Sequence, residues 1–253
     1  MSDRLLELAE RIRVARRLTI LTGAGISAAS GVPTFRGQDG LWRQHRAEDL
    51  ATPDAFERNP RLVWEWYDWR RGKIAGCRPN AGHDVIAAWS QAVPHCRVVT
   101  QNVDDLHIRA GTRNLTRMHG SIWELSCWDA CAKGVNGWHD ESVPLGALPP
   151  RCPHCGALAR PAVVWFGEAL RPDTLRAALE ATACDVFLTV GTSAVVYPAA
   201  GLVDEARRRG AFTAEINPEM TPASAHIDVA IHGAAEVVLP RLAELRSRAG
   251  PPR

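Results

Sequence analysis

No apolar run in these 253 residues approaches the roughly 20 that a spanning helix needs, which argues against an integral helical membrane protein. Neither sign of charge is in excess. Lys and Arg number 30 against 28 Asp and Glu, a net charge of +2, so neither nucleic acid nor a membrane surface is expected as the main partner. Internal repeats and low-complexity tracts are missing too. With 46% hydrophobic and 23% charged residues, disorder is a poor reading, and the length suits one large domain or one domain carrying an inserted module. The opening stretch MSDRLLELAERIRVARR lacks the pattern of a secretory leader. It alternates charge with Leu and Ile at helical spacing, so it reads as an amphipathic surface helix, and a cytoplasmic chain is expected. A disulfide framework is also unlike this composition, because the seven cysteines are odd in number and Cys77, Cys96 and Cys184 are scattered.

What is present is alternation. Short apolar, β-branched runs occur at Leu18–Thr22, Arg97–Thr100, Val163–Trp165, Asp185–Val190, Phe212–Ile216 and Asp228–Ile231. Helical patterns lie between many of them, at Ala81–Ala92, Pro172–Thr182, Ala199–Arg209 and Ala235–Arg248. That order predicts an α/β fold with a parallel sheet covered on both faces. Two stretches break it: Gln38–Gly76, rich in Trp and Arg with a helical pattern near Pro60–Arg71, and Ile122–Arg160, which holds four cysteines. Both read as insertions forming a smaller module beside the sheet. The tryptophans at 42, 64, 66 and 69 have apolar neighbours, so packing explains them better than stacking on bases.

Gly23-Ala24-Gly25-Ile26-Ser27-Ala28 follows the first strand and fits G-x-G-x-x-G/A, a turn whose glycines admit a pyrophosphate. Gly31 and Pro33 then stop the helix early and no second strand ending in an acidic residue follows, so a hydride-transferring dehydrogenase is disfavoured. Cys127-x3-Cys131 and Cys152-x2-Cys155 approximate the four-thiolate zinc pattern, and such a closed tetrahedral site is structural. Because x2 is commoner in the first pair, His139 and His154 stand as alternatives to Cys131 as the fourth ligand. A zinc-ribbon nucleic-acid module is the rival class, opposed by the balanced charge and the small share of the chain that the cysteines occupy.

The whole stretch GAGISAASGVPTFRG (Gly23–Gly37) resembles the sirtuins, NAD-consuming protein deacylases. Five further stretches resemble their motifs in order: Thr100–Asp104, His119-Gly120, Val163–Glu168, Gly191–Ser193 and Ile216–Glu219, with the cysteine module between the second and third. The resemblance implies a single sirtuin-type domain over 1–253. In it a Rossmann-like NAD part comprises 1–37, 77–121 and 161–248, with a helical insertion at 38–76 and a zinc-binding module at 122–160. It also implies NAD as co-substrate, one structural zinc ion through Cys127, Cys131, Cys152 and Cys155, and acylated-lysine proteins or peptides as partners, with no membrane and no specific nucleic acid involved. The oligomeric state is left open.

By the same resemblance Gly23, Ala24, Gly25 and Ser27 would line the NAD phosphates, and Phe35, Arg36 and Trp42 would lie over the cofactor. Gln101, Asn102, Val103 and Asp104 would face the nicotinamide and its ribose. Gly191, Thr192 and Ser193 would meet the phosphate side, and Asn217, Pro218, Glu219 and Ala235 the adenosine side. His119 would be the general base, which takes a ribose hydroxyl proton after the acyl oxygen has attacked the carbon bearing nicotinamide; imidazole titrates in the range such work requires. Asn102 and Asp104 would assist, although simple loop capping is open for Asp104. Val164, Trp165, Phe166 and Gly167 would carry the substrate. Tyr67 and Arg70 match a Y-x-x-R pair of the branch that removes succinyl, malonyl and glutaryl groups, and Thr34 points the same way. A guanidinium and a phenol suit a carboxylate, while an ordinary solvated helix face is the plainer reading of two residues three apart. Mono-ADP-ribosyl transfer is the alternative activity, and an NAD-sensing or zinc-ribbon binder the non-enzymatic one.

Overall fold

The structure, a computed structural model, describes residues 2–33, 41–42 and 45–248, without the side chains of Ser2, Leu41 and Trp42. In chain order its elements are α1 (Ser2–Val14), β1 (Arg17–Thr22), α2 (Gly25–Ala28), β2 (Leu41–Trp42), β3 (His45–Arg46), α3 (Ala47–Leu50), α4 (Pro53–Arg58), α5 (Pro60–Ala75), α6 (Ala81–Ala92), β4 (His95–Thr100) and α7 (Leu106–Arg109). There follow β5 (Leu115–Arg117), β6 (Gly120–Cys127), β7 (Trp138–His139), β8 (Ala159–Val163), α8 (Pro172–Ala181), β9 (Val186–Val190), α9 (Gly201–Arg208), β10 (Phe212–Asn217), β11 (Val229–His232) and α10 (Ala235–Arg248).

Six of the strands form one sheet in the order β11-β10-β9-β1-β4-β5, every pair parallel. β1 is buried at every position after Arg17. That is the pattern of a parallel strand covered on both faces, and it explains the unbroken apolar run rather than an alternating one. On one face Leu8 and Ile12 of α1, Ile86 and Trp89 of α6, and Leu239 and Leu242 of α10 pack against Ile20, Val98 and Leu188. On the other, Ala178 and Ala181 of α8 and Leu202, Val203 and Ala206 of α9 pack against Leu21, Val99 and Phe187. The chain runs from β1 outward to β4 and β5, then crosses to the opposite side of β1 for β9. The order thus reverses beside β1, and open α/β sheets bind ligands in the crevice at the carboxyl ends of the strands at such a switch point.

A third core joins α5 (Val63, Trp64, Trp66, Tyr67, Ile74) to β6 and β8 (Ile122, Leu125, Ala159, Val163) and to Trp165. Here one expectation is corrected. Val163–Trp165 is no strand of the parallel sheet. Instead β8 ends at Val163 and runs antiparallel to β6, with Leu125 opposite Pro161 and Cys127 opposite Ala159, in a separate sheet of order β7-β6-β8. The apolarity of this run reflects Trp165, which turns into the third core with 2% of its surface exposed.

At the switch point the backbones after β1 and β9 touch. The Gly25 N–H donates to the Gly191 carbonyl at 2.8 Å and the Gly23 N–H to the Val190 carbonyl at 3.1 Å. A Cβ on Gly191 would lie 2.5 Å from the Ile26 nitrogen, and one on Gly25 2.7 Å from the Gly191 Cα. Gly191 also has φ +59°, a conformation that costs other residues roughly 1–2 kcal/mol before any clash. Gly191→Ala is therefore expected to lose more than about 2 kcal/mol of stability. Gly72→Ala, at a helical position with nothing within 4 Å of the new methyl, should instead gain about 0.5–1 kcal/mol. Thermal and denaturant unfolding of the two variants checks both signs; a tolerated Gly191→Ala would show that the two loops are not in obligatory contact.

Candidate functional site

The loops that follow β1, β4 and β9 are stitched to one another by side chains. Gln101 Nε2 donates to Thr192 Oγ1 at 2.9 Å, and Asn102 Nδ2 donates to the Gly23 carbonyl at 3.0 Å and to Ser27 Oγ at 3.2 Å. Ser27 Oγ in turn donates to Asp104 Oδ2 at 2.7 Å. Gly23, Gly25, Ser27, Gln101, Asn102, Asp104, Gly191 and Thr192 are thereby brought together. Ala24 and Ser193 sit in the same loops, and the N–H groups of Ala24, Thr192 and Ser193 have no acceptor among the described residues. Glycines that keep side chains out and unpaired amides are what a dinucleotide's phosphates require, so this crevice fits NAD. The Gly23 and Gly25 amides themselves are used within the protein. Their glycines serve the close crossing of the backbones.

Asn217 ends β10, two strands from β1, and Pro218 and Glu219 follow it, with Asn217 Nδ2 donating to the Glu219 carbonyl at 2.8 Å. Ala235 is 3% exposed and packs among the core residues of α10. Thr34, Phe35, Arg36 and the side chain of Trp42 lie outside the described residues.

His119 stands in the tight turn between β5 and β6. The turn exists because Gly120, at φ +80°, lies so close to β8 that a Cβ there would meet the Ala162 carbonyl oxygen at 2.1 Å. The Val164 N–H donates to the His119 carbonyl at 3.0 Å, which ties the Val164–Gly167 segment to the histidine. The His119 ring is half-buried, with Nδ1 2.9 Å from the Gln101 carbonyl oxygen. A carbonyl only accepts, so Nδ1 carries the proton and Nε2 is left as the basic nitrogen. Burial pushes the imidazole below its ordinary 6.5, and the bond to Gln101 only partly offsets this. Around neutral pH the ring is an uncharged base.

Asp104 is 3% exposed, and its Oδ1 accepts from the Leu106 N–H at 2.9 Å. The loop-capping reading of this residue is seen in the geometry, and Asp104 also reaches the first loop through Ser27. Burial raises its pKa, while the bonds from Leu106 and Ser27 and the charge of Arg70 oppose the rise. Beneath these groups lie two histidines that sequence reading passed over. His83 Nε2 is 3.4 Å from Ser27 Oγ, His107 Nε2 is 2.9 Å from Thr22 Oγ1, and the rings are 5.0 Å apart. Burial lowers them to about 4 and about 3, so both are neutral. Nothing local in sequence marks them, since each sits on a helix like any surface histidine.

Tyr67 and Arg70 are each 4% exposed on α5, which excludes the solvated-face reading. The Arg70 guanidinium lies 5.3 Å from the Trp66 ring centre, within electrostatic range of Asp104 and Tyr67. Burial lowers the Arg70 pKa; the carboxylate and the phenol work against that. Tyr67 is pushed up to about 12, chiefly by burial, and so keeps its proton. Its oxygen accepts from Trp165 Nε1 at 2.9 Å, so Trp165 belongs to the same buried cluster. Phe166 and Gly167 are exposed beyond it, with the Phe166 N–H donating to the Ala51 carbonyl.

The four cysteine sulfurs at 127, 131, 152 and 155 all lie within 4.8 Å of one another. Cys127 and Cys155 are 3.5 Å apart and Cys131 and Cys152 3.7 Å, against the edge of about 3.8 Å for a tetrahedron with zinc–sulfur bonds of about 2.3 Å. Gly134 closes the cradle: a Cβ there would fall 2.9 Å from the sulfurs of both Cys131 and Cys152. The set therefore fits one zinc ion held by four thiolates, and Cys131 is the fourth member despite its x3 spacing. His139 instead pairs with Glu141 at 2.9 Å, and the His154 ring lies against Trp138. Among the described residues no helix is long and apolar enough to cross a membrane.

The model of the Sir2 family matches residues 23–198, a span running from the first glycine turn past β9. This chain belongs to the Sir2 family. The NAD-dependent protein deacylase 1 of Caldanaerobacter subterraneus subsp. tengcongensis is 49% identical over 218 residues, 86% of this chain and 88% of that one. A crystal structure of a Sir2 homolog–NAD complex superposes with a TM-score of 0.90 at 43% identity, covering 96% of this chain and 94% of the other. The structure of Sir2Af2 bound to a myristoylated histone peptide gives 0.80 at 35% identity, with 98% of each chain covered.

In this Sir2 chain a closed thiolate site should contribute to folding rather than to the reaction. One zinc per chain is expected by elemental analysis of protein purified without chelators, and Cys152→Ala should lose the metal and lower the unfolding temperature. Zinc retained in Cys131→Ala would remove that residue from the ligand set.

Proposed function

We propose that this chain is an NAD-dependent protein-lysine deacylase, with His119 as its general base and with Tyr67 and Arg70 selecting acyl groups that end in a carboxylate. The observation that carries the reading is the His119 ring, protonated on Nδ1 against the Gln101 carbonyl and basic on Nε2, held where the loops of the switch point converge. NAD, when bound, supplies the ribose carbon that gives up nicotinamide and the hydroxyls that take over the acyl group.

The chain's own residues do the rest. Ala24, Thr192 and Ser193 offer backbone N–H groups to the phosphates. Asn102 spends its Nδ2 on Gly23 and Ser27, and its Oδ1 has no donor among the described residues, so it is the acceptor this side chain offers to water or ribose. Asp104 fixes Ser27 and its own loop, a positioning role for the neighbouring Asn102. Val164–Gly167, tied to His119 through the Val164 amide, would lay the acyl-lysine backbone beside the base. Phe35, Arg36 and Trp42 complete the reading by resemblance alone, as do Asn217, Pro218, Glu219 and Ala235 on the adenosine side.

For the acyl group, a buried guanidinium and a phenol that keeps its proton are a matched pair for a distal carboxylate. A charge-assisted contact of this kind is worth about 1.5–3 kcal/mol, one to two decades in selectivity. Mass spectrometry of acetyl-, malonyl-, succinyl- and glutaryl-lysine peptides with NAD tests the proposal. Nicotinamide and free lysine are expected together, fastest from the acidic acyl groups. Arg70→Met is expected to raise KM for the succinyl peptide by about ten- to a hundredfold, with a far smaller effect on the acetyl peptide. Equal losses on both would make Arg70 a structural residue, and label from NAD retained on protein would indicate ADP-ribosyl transfer instead.

A further inference from the structure

Trp165 is part of no charge pair and carries only one polar atom, yet that atom is buried and aimed at the acyl pair: its Nε1–H donates to the Tyr67 oxygen at 2.9 Å. We propose that Trp165 is a specificity-determining positioning residue, whose indole N–H makes Tyr67 a committed donor toward the distal carboxylate of the substrate's acyl group. The inference rests on the reading of Tyr67 and Arg70 as the acyl-carboxylate pair.

A phenol has one proton and accepts at the same oxygen. Left alone in a buried pocket, Tyr67 can rotate that proton to whatever acceptor is near. With an indole N–H filling its acceptor side, the oxygen is satisfied from the protein. The remaining proton has no acceptor among the described residues and is left for a ligand. Tryptophan alone among the aromatic residues of this size brings an N–H that donates and never accepts. Phenylalanine at 165 would fill the volume and lose the direction.

The indole is held as firmly as it holds. The Arg160 guanidinium stacks 3.7 Å from the centre of the Trp165 ring. Arg160 also grips both oxygens of Glu168, Nη2 to Oε2 at 2.8 Å and Nη1 to Oε1 at 2.5 Å, and Glu168 Oε2 accepts the Trp165 backbone N–H at 2.8 Å. Phe56 and Trp128 also pack against it, at 5.4 Å and 6.3 Å between ring centres. Backbone and ring of one residue are thus fixed by a single ion pair, and Glu168, three residues along the same motif, supplies the carboxylate. Although burial disfavours its charge, the Arg160 guanidinium and the Trp165 N–H hold the Glu168 carboxyl below its usual range. The clamp therefore persists at neutral pH.

The test is a double-mutant cycle read as a selectivity ratio, kcat/KM for a succinyl-lysine peptide over that for the acetyl-lysine peptide. Trp165→Phe is expected to lower the ratio about three- to tenfold, through KM of the succinyl peptide, whatever common loss both substrates share. In a Tyr67→Phe background, which has no phenol to orient, the same change should leave the ratio where Tyr67→Phe alone puts it. Should Trp165→Phe fold poorly, a β-(3-benzothienyl)alanine at 165, which keeps the indole shape with sulfur in place of N–H, carries the same expectation. An unchanged ratio in the shape-matched variant, or equal effects with and without the phenol, overturns the role of Trp165 while Arg70→Met still depresses desuccinylation. A wild-type enzyme with no acidic preference, unaffected by Arg70→Met, overturns the acyl-pair reading and this inference with it.

Discussion

Two backbone loops cross at the carboxyl end of the sheet with no room for a Cβ between them, and most of the site is built outward from that crossing. Gly25 and Gly191 set it, and the bond between them places α2 so that Ser27 faces the loop after β4. Ser27 then serves both Asn102 and Asp104, and the loop after β4 presents the Gln101 carbonyl that accepts the hydrogen bond from His119 Nδ1. Each step is a short, directional contact. The glycines matter here because they let two strands' ends approach, and only secondarily because they leave a surface open to phosphate.

Burial sets the electrostatics of the crevice. His83, His107 and His119 are all driven toward the neutral form by loss of water, so the site contains three uncharged imidazoles and one carboxylate whose pKa is raised. The charge of Arg70, on α5, partly offsets that rise. Under the proposed function one side chain would therefore face two tasks, moderating the buried Asp104 and supplying the positive charge for the acyl carboxylate. The lobe that carries it is held together by the third core, by Arg71, which bridges α5 to Asp140 at 2.6 Å, and by the cysteine cradle.

The sheet strands were legible wherever an apolar β-branched run ended at a glycine or a polar loop, as at Thr22 and Val190, because that pattern is forced by burial on both faces. The cysteine set was legible too, since thiolate spacing is local. Val163–Trp165 misled because a single buried tryptophan imitates the end of a core strand. His83 and His107 were invisible, being ordinary residues on helices until the fold stacks them 5.0 Å apart under Ser27. The bond from Trp165 to Tyr67 spans 98 positions and Gly134 matters only once four sulfurs surround it, so neither leaves a local signal. Long-range contacts between unremarkable residues are what sequence pattern does not encode.

At the centre of this account is a neutral His119 with its basic nitrogen on Nε2. The pH dependence of kcat/KM for an acyl-lysine peptide at saturating NAD tests it most directly, because that profile reports the base. Burial lowers the pKa of His119, so the base is competent above its pKa and is lost as pH falls through it. The acid limb should have its midpoint below 6.5, the ordinary histidine value, with no loss from this group between there and pH 8. His119→Tyr should remove that limb together with about 10²–10⁴ of the rate. A limb centred above 6.5, or one that survives in His119→Tyr at near wild-type turnover, would contradict the assignment.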